Sequence, residues 1–194
     1  MFKSFWISWL YGVILNLNVF IKETLDDYRR RIFAATRDLS INEIYWKPKQ
    51  DANSIGFIFW HASRVEDRLI RFFVEGKQEI WIIGRWYEKM NLSVEATGVG
   101  YSVDELDKFP RLDKQLLVEY FTLVRNNTFN YLDSISSESF DLVLERIPFP
   151  EYEPSIQHFK GFTIARTFRQ LIGELDQHLG QISYIRGIQK GLNK

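Results

Sequence analysis

TIARTFRQLIGELDQHLGQISYIRGIQK, residues 163–190, contains no proline and a single apolar stripe. Wound at about 100° per residue, Ile164, Phe168, Leu171, Leu175, Ile182 and Ile185 fall in one arc. That spacing predicts a long amphipathic helix with one buried face. His178 lies inside the arc. Glu174 lies at its edge, one turn earlier, because residues i and i+4 are neighbours on a helix. A carboxylate turned towards a core is costly unless something compensates its charge.

Working outward, three more helical stretches precede this one. Residues 113–135 place Tyr120, Leu123, Val124 and Leu132 at inner positions. Residues 55–75 follow two candidate N-caps, Asn53 and Ser54, and stop near Gly76. On that wheel Phe57, Ile58, Ala62, Val65, Leu69 and Phe72 define the inner face, and His61 falls between Phe57 and Phe72. Asp67 is expected to point away, with Arg64 and Arg68 near the Phe57 edge. Residues 20–37 carry Leu25, Tyr28, Ile32 and Phe33 at helical spacing.

The connections are less regular. Residues 77–113 hold aromatics (Trp81, Trp86, Tyr87), the glycines Gly98 and Gly100, and a Ser102/Glu105 pair spaced as a capping box. Residues 145–160 carry Pro148, Pro150 and Pro154, and 143–149 alternate enough for a short strand. Four long helices with one long crossover predict an all-α four-helix bundle. The expected organisation is an apolar N-terminal extension over 1–19 and one bundle domain over 20–194.

Composition narrows the function. The 194 residues hold 25 Lys plus Arg and 25 Asp plus Glu, a formal net charge of zero. A dedicated nucleic-acid binder needs a basic surface, so none is expected as a partner. With no cysteine, disulfides, thiolate metal sites and a catalytic thiol are excluded. Any imidazole chemistry must use one of three histidines, His61, His158 and His178.

Two of these, His61 and His178, face the core from different helices, with Glu174 beside one of them. Two imidazoles and a carboxylate can make a three-ligand divalent-metal site with an open position for water or substrate. Such a donor set suits zinc, and iron or nickel as well. From spacing alone the competing reading stays open: hydrogen-bonded core histidines and a glutamate that reaches solvent.

Two segments carry a family resemblance. Trp46-Lys-Pro-Lys-Gln-Asp-Ala-Asn-Ser-Ile-Gly-Phe-Ile-Phe-Trp-His61 resembles the opening of the DinB/YfiT-like superfamily, with a Trp/Pro turn, a small N-cap and a histidine on the second helix. Glu174-Leu-Asp-Gln-His178-Leu-Gly-Gln-Ile-Ser-Tyr-Ile-Arg-Gly187 resembles its last-helix signature. The resemblance spans roughly 20–190 and includes the loop Thr97–Ser102. It implies an up-down-down-up bundle with a divalent metal between the helices. Many members use three histidines, two on the last helix; here the first of that pair is Glu174. The His61, Glu174, His178 set is similar to the mycothiol-dependent maleylpyruvate isomerase branch, where a mixed set holds zinc. The implied function is a thiol-dependent transferase or isomerase in which metal activates a low-molecular-weight thiol, or water. The alternative from another class is a non-catalytic, stress-related or dimerising bundle.

The remaining features carry weaker expectations. Arg186 reads as one half of a salt bridge, and Gln181 as a solvent-facing residue able to orient a ligand. His158 reads as a surface or loop residue, with support of a ligand or a substrate contact as the second option. The aromatics near Trp81 read as packing. Gly98 and Gly100 are not a phosphate loop, since no Lys-Ser/Thr follows. The first 21 residues hold one charged side chain, Lys3, and Ser4, Ser8, Gly12 and Asn16 recur every fourth residue. A packing or dimerisation helix and a start site near Leu17 or Val19 both fit, with membrane attachment a weaker third reading. The expected partners are a small-molecule substrate and a second copy of the chain; the expected compartment is the cytoplasm.

Overall fold

The computed structural model describes residues 16–191. The four expected helices are present. Helix α1 is Leu17–Thr36, started by Asn16, whose side chain accepts from the backbone N–H of Asn18 and Val19. Helix α2 is Ile55–Asp67, started by Ser54, which accepts from Phe57 N at 3.2 Å. It continues through a π-helical turn, Arg68–Val74. Helix α3 is Lys114–Ser134 with Asp113 as its cap, and α4 is Ile164–Lys190 with Thr163 as its cap. Each cap oxygen satisfies an orphan N–H of the first turn, worth about 1 kcal/mol.

Inter-helix hydrogen bonds fix the directions. Asn18 at the start of α1 donates to the carbonyls of Leu132 and Ile135 at the end of α3, and Lys114 at the start of α3 donates to Arg37 O. These two helices are antiparallel. Helices α2 and α3 run parallel, since Arg64 meets Tyr120 and, further along, Arg71 meets Asn127. Arg186 near the end of α4 reaches Ala35 and Asp38 at the end of α1, so α1 and α4 are parallel. The start of α4 lies beside the end of α2, because Phe162 packs on Phe159 and Phe159 on Phe73. The bundle is therefore up-down-down-up. Helix α2 packs on α3 and α4, and α1 on α4 and α3. Two consecutive parallel helices need a connection as long as the bundle, which residues 75–113 supply.

That crossover is built from short helices, Ile80–Ile83, Trp86–Lys89 and Val103–Lys108, the last opened by the expected capping box of Ser102 and Glu105. A second capping box, Ser40 with Glu43, opens Ile41–Ile44 between α1 and α2. Gly56 is required by packing: a Cβ there would stand 2.6 Å from the ring of Tyr45. The Tyr45 hydroxyl in turn accepts from Leu112 N at 2.8 Å.

Two expectations change. The stretch 143–149 forms no strand; Val143 makes a single bridge to Thr163, with Leu144 N donating to Phe162 O at 2.8 Å. Leu123 is exposed, and Phe121 is fully buried in the same helix. The inner arc of α3 is rotated by the polar residues it must also bury, Arg125 and Thr128. Of the expected extension 1–19, residues 1–15 lie outside the described residues, and Leu17 onward belongs to α1. Among the described residues no helix is long and apolar enough to cross a membrane.

Candidate functional site

Helix α2 is central, and every residue of Ile55–Asp67 is buried except His61. Its imidazole Nδ1 lies 2.7 Å from Thr97 O in the crossover. A carbonyl only accepts, so Nδ1 carries the proton and Nε2 keeps its lone pair. The ring stacks on Phe57, 5.8 Å away and 4° from parallel. Burial pushes the imidazole down to about 4, with the neighbouring His178 adding to the shift, so the ring is neutral at pH 7.

The His178 ring, on α4, meets His61 edge-on at 5.0 Å between centroids. Its Nδ1 is 3.1 Å from Gln181 Oε1 one turn on. Gln181 thus orients the ring, and Nε2 is buried with no hydrogen-bond partner. Glu174 Oε2 is 3.7 Å from that orphan Nε2. The other Glu174 oxygen accepts from Gln170 at 2.9 Å, and Gln170 Oε1 is 3.4 Å from His158 Nε2. His158 is therefore more than a loop residue: it closes a polar relay to Glu174.

His61, Glu174, Gln170 and His158 line a cavity of about 480 Å³ between α2, α4, the loop 98–100 and the connector 149–159. That size is typical of small-molecule sites. Gly98 makes the close approach of the loop: its φ is 81°, and a Cβ there would stand 2.7 Å from His61 Nδ1. The Gly98 and Gly100 pair therefore walls a cavity and lets a carbonyl reach a histidine.

The donor chemistry fits a divalent cation. Both imidazoles are held in the tautomer that leaves Nε2 free, each by a partner on Nδ1, as metal-binding histidines usually are. Two donors each about 2.0–2.1 Å from one tetrahedral ion would be about 3.4 Å apart, close to the 3.7 Å between Glu174 and His178. Among the described residues, no group of three or more His, Asp or Glu side chains is already gathered to hold an ion. The half-buried Glu174, tied to Gln170, is the side chain with freedom to change this.

A family model of the DinB superfamily matches residues 24–182. The chain belongs to the DinB superfamily. A crystal structure of a conserved protein from Enterococcus faecalis superposes with a TM-score of 0.75 and 23% identity, covering 90% of this chain and 97% of that one. That likeness shows the shared fold. A search of curated proteins finds no match.

This DinB superfamily protein also buries two ionic networks that sequence reasoning missed. Asp67 does not point away: it is 1% exposed and accepts from Ile80 N, Trp81 N and the Tyr120 hydroxyl. Arg64 donates to Ala96 O at 3.0 Å and Glu79 at 2.7 Å, with its guanidinium over the Trp81 ring. Burial raises the Asp67 carboxyl, and Arg64 opposes that rise. On the facing side, Glu66 takes two hydrogen bonds from Arg125, at 2.8 and 2.7 Å, and one from Thr128. Arg64 and the carbonyl of Ala96 anchor the crossover one residue before Thr97, so the network sets the loop that orients His61. Trp81 and Trp86 pack inside this layer, as expected, while Arg186 pairs with Asp38 at 2.8 Å.

Proposed function

We propose that the protein is a divalent-metal-dependent enzyme that uses His61, Glu174 and His178 as ligands. Zinc is the best match to two imidazoles and one carboxylate, with nickel and iron the alternatives. The observation that carries this reading is the orphan His178 Nε2, buried beside the end of the cavity that His61 and Glu174 line, 3.7 Å from Glu174 and edge-on to His61. An unpartnered buried imidazole nitrogen is costly, and a cation is the partner that would satisfy it and Glu174 together.

A bound zinc ion would lower the pKa of a thiol or water at that end of the cavity and so supply a nucleophile at neutral pH. The chain's own residues do the rest. The Thr97 carbonyl and Gln181 fix the two rings. Gln170 holds Glu174 and connects it to His158. The apolar walls Val65, Leu69 and Phe159 limit water. With no cysteine in the chain, a thiol nucleophile must come from a low-molecular-weight cosubstrate. The reaction class that fits is thiol transfer or isomerisation on a small organic molecule.

Metal content of untagged protein tests the site. We expect about one equivalent of zinc, and its loss in His61→Ala and His178→Ala. Wild-type protein that takes up no zinc, nickel or iron when each is supplied would overturn the proposal. Consumption of a low-molecular-weight thiol against a panel of electrophiles tests the activity separately.

A further inference from the structure

The chemistry of the cavity walls speaks to what can enter. Beyond the polar end, the body of the cavity is aliphatic and aromatic: Val65, Leu69, Val99, Phe149, Tyr152 and Phe159. No lysine or arginine lines it among the described residues, and Glu174 is its carboxylate. The arginines of α2 that flank Val65 and Leu69 are committed elsewhere. Arg64 is held by Glu79 and Tyr120, and Arg68 by Glu79, Glu151 and Pro148 O. An anionic group against these walls would give up part of its hydration and meet no counter-charge, which is penalised. A polar but uncharged group has partners among the lining residues: Gln170, His158 and Ser155, whose buried hydroxyl has no hydrogen-bond partner.

We propose that this cavity takes an uncharged organic molecule, with an aromatic or branched aliphatic body and a hydroxyl or carbonyl group, and rejects molecules bearing a carboxylate or phosphate. The proposal rests on reading the cavity as the substrate pocket of the proposed enzyme, and it gives that enzyme a substrate class. The charge count agrees. A divalent ion with Glu174 carries one net positive charge, which one thiolate cancels, leaving nothing for an anionic electrophile.

The test is a matched pair of probes, 2-naphthylmethanol and 2-naphthoate, titrated into metal-free and zinc-supplemented full-length protein and followed by amide NMR shifts. We expect the alcohol to bind at least about tenfold tighter in both preparations, with shifts at residues 97–100. Val99→Trp fills the cavity from its loop wall and should weaken alcohol binding by about tenfold; Val99→Lys adds a cation and should raise naphthoate affinity. Equal or tighter binding of naphthoate by the wild type, or binding of neither probe, would overturn the proposal. So would alcohol binding with shifts confined to another part of the surface, a readout that needs no variant to fold. Zinc uptake is measured in parallel. Discrimination without zinc uptake keeps this inference and removes the metal reading; zinc uptake without discrimination does the reverse.

Discussion

Gly98 holds a backbone φ of 81°, a left-handed conformation that side chains rarely adopt, and its missing Cβ leaves room for His61. Gly98→Ala therefore strains the loop and displaces the Thr97 carbonyl from His61 Nδ1. The expected cost is about 1–3 kcal/mol, read as a lower denaturant midpoint. The His61 ring resonances should also move, which a strain confined to the loop would not produce. Gln181→Leu acts differently. It leaves His178 Nδ1 without its acceptor and frees the ring, so under the proposed metal reading zinc affinity should fall by about 10- to 100-fold with little change in the melting temperature. An unaltered zinc titration in Gln181→Leu would remove its orienting role.

At the scale of elements, α2 is the axis of the molecule and its polar residues act as clamps. Glu66 and Arg125 are fully buried and join α2 to α3. Removing one partner strands the other, so Arg125→Met should cost about 3–5 kcal/mol. The paired change Glu66→Leu with Arg125→Met should recover much of that loss, since an apolar pair of similar volume is often no less stable. Denaturant unfolding of the single and double variants checks this. The network of Arg64, Asp67 and Glu79 has a second duty. It ties the crossover to α2 beside the histidine, so damage there should reach zinc binding as well as stability. Helical periodicity is blind to both clamps. A wheel assigns charged residues outward, and that rule fails for a helix enclosed on every side. Asp67 was misplaced for this reason, and Leu123 because Arg125 and Thr128 claim part of the inner face of α3.

For the whole molecule, the end of the bundle where α1 and α4 finish is held by carboxylates. Glu43 accepts from Lys190 and Ser40, which hold its carboxyl down at about 2, and Arg186 keeps Asp38 below its ordinary value. A carboxylate depressed in the folded state stabilises above its unfolded pKa, about 4.3 for Glu. That contribution is lost as pH falls towards the folded value of about 2. Stability should therefore decline from pH 5 to pH 2 with a share that Glu43→Gln abolishes. Chemical denaturation at intervals across that range gives the slope; an identical slope in Glu43→Gln would exclude the tether as its source. Both carboxylates are open to solvent, so added salt should shrink the effect.

The sequence by itself determined the four long helices, the cap of α2, the bundle and the family, because these follow from local periodicity, capping chemistry and the two histidine-bearing motifs. It also singled out His61, Glu174 and His178, since a wheel can tell which face of its own helix a residue occupies. Only the tertiary structure decided what those faces meet. The crossover loop over His61, the hydrogen bonds of Gln181 and Gln170, the relay to His158 and the walls of the cavity join residues far apart in the chain. The buried ion pairs of α2 belong with them. Helical spacing encodes the direction of a side chain, whereas a binding site depends on which element stands opposite it, and that is settled when the long crossover packs along the bundle.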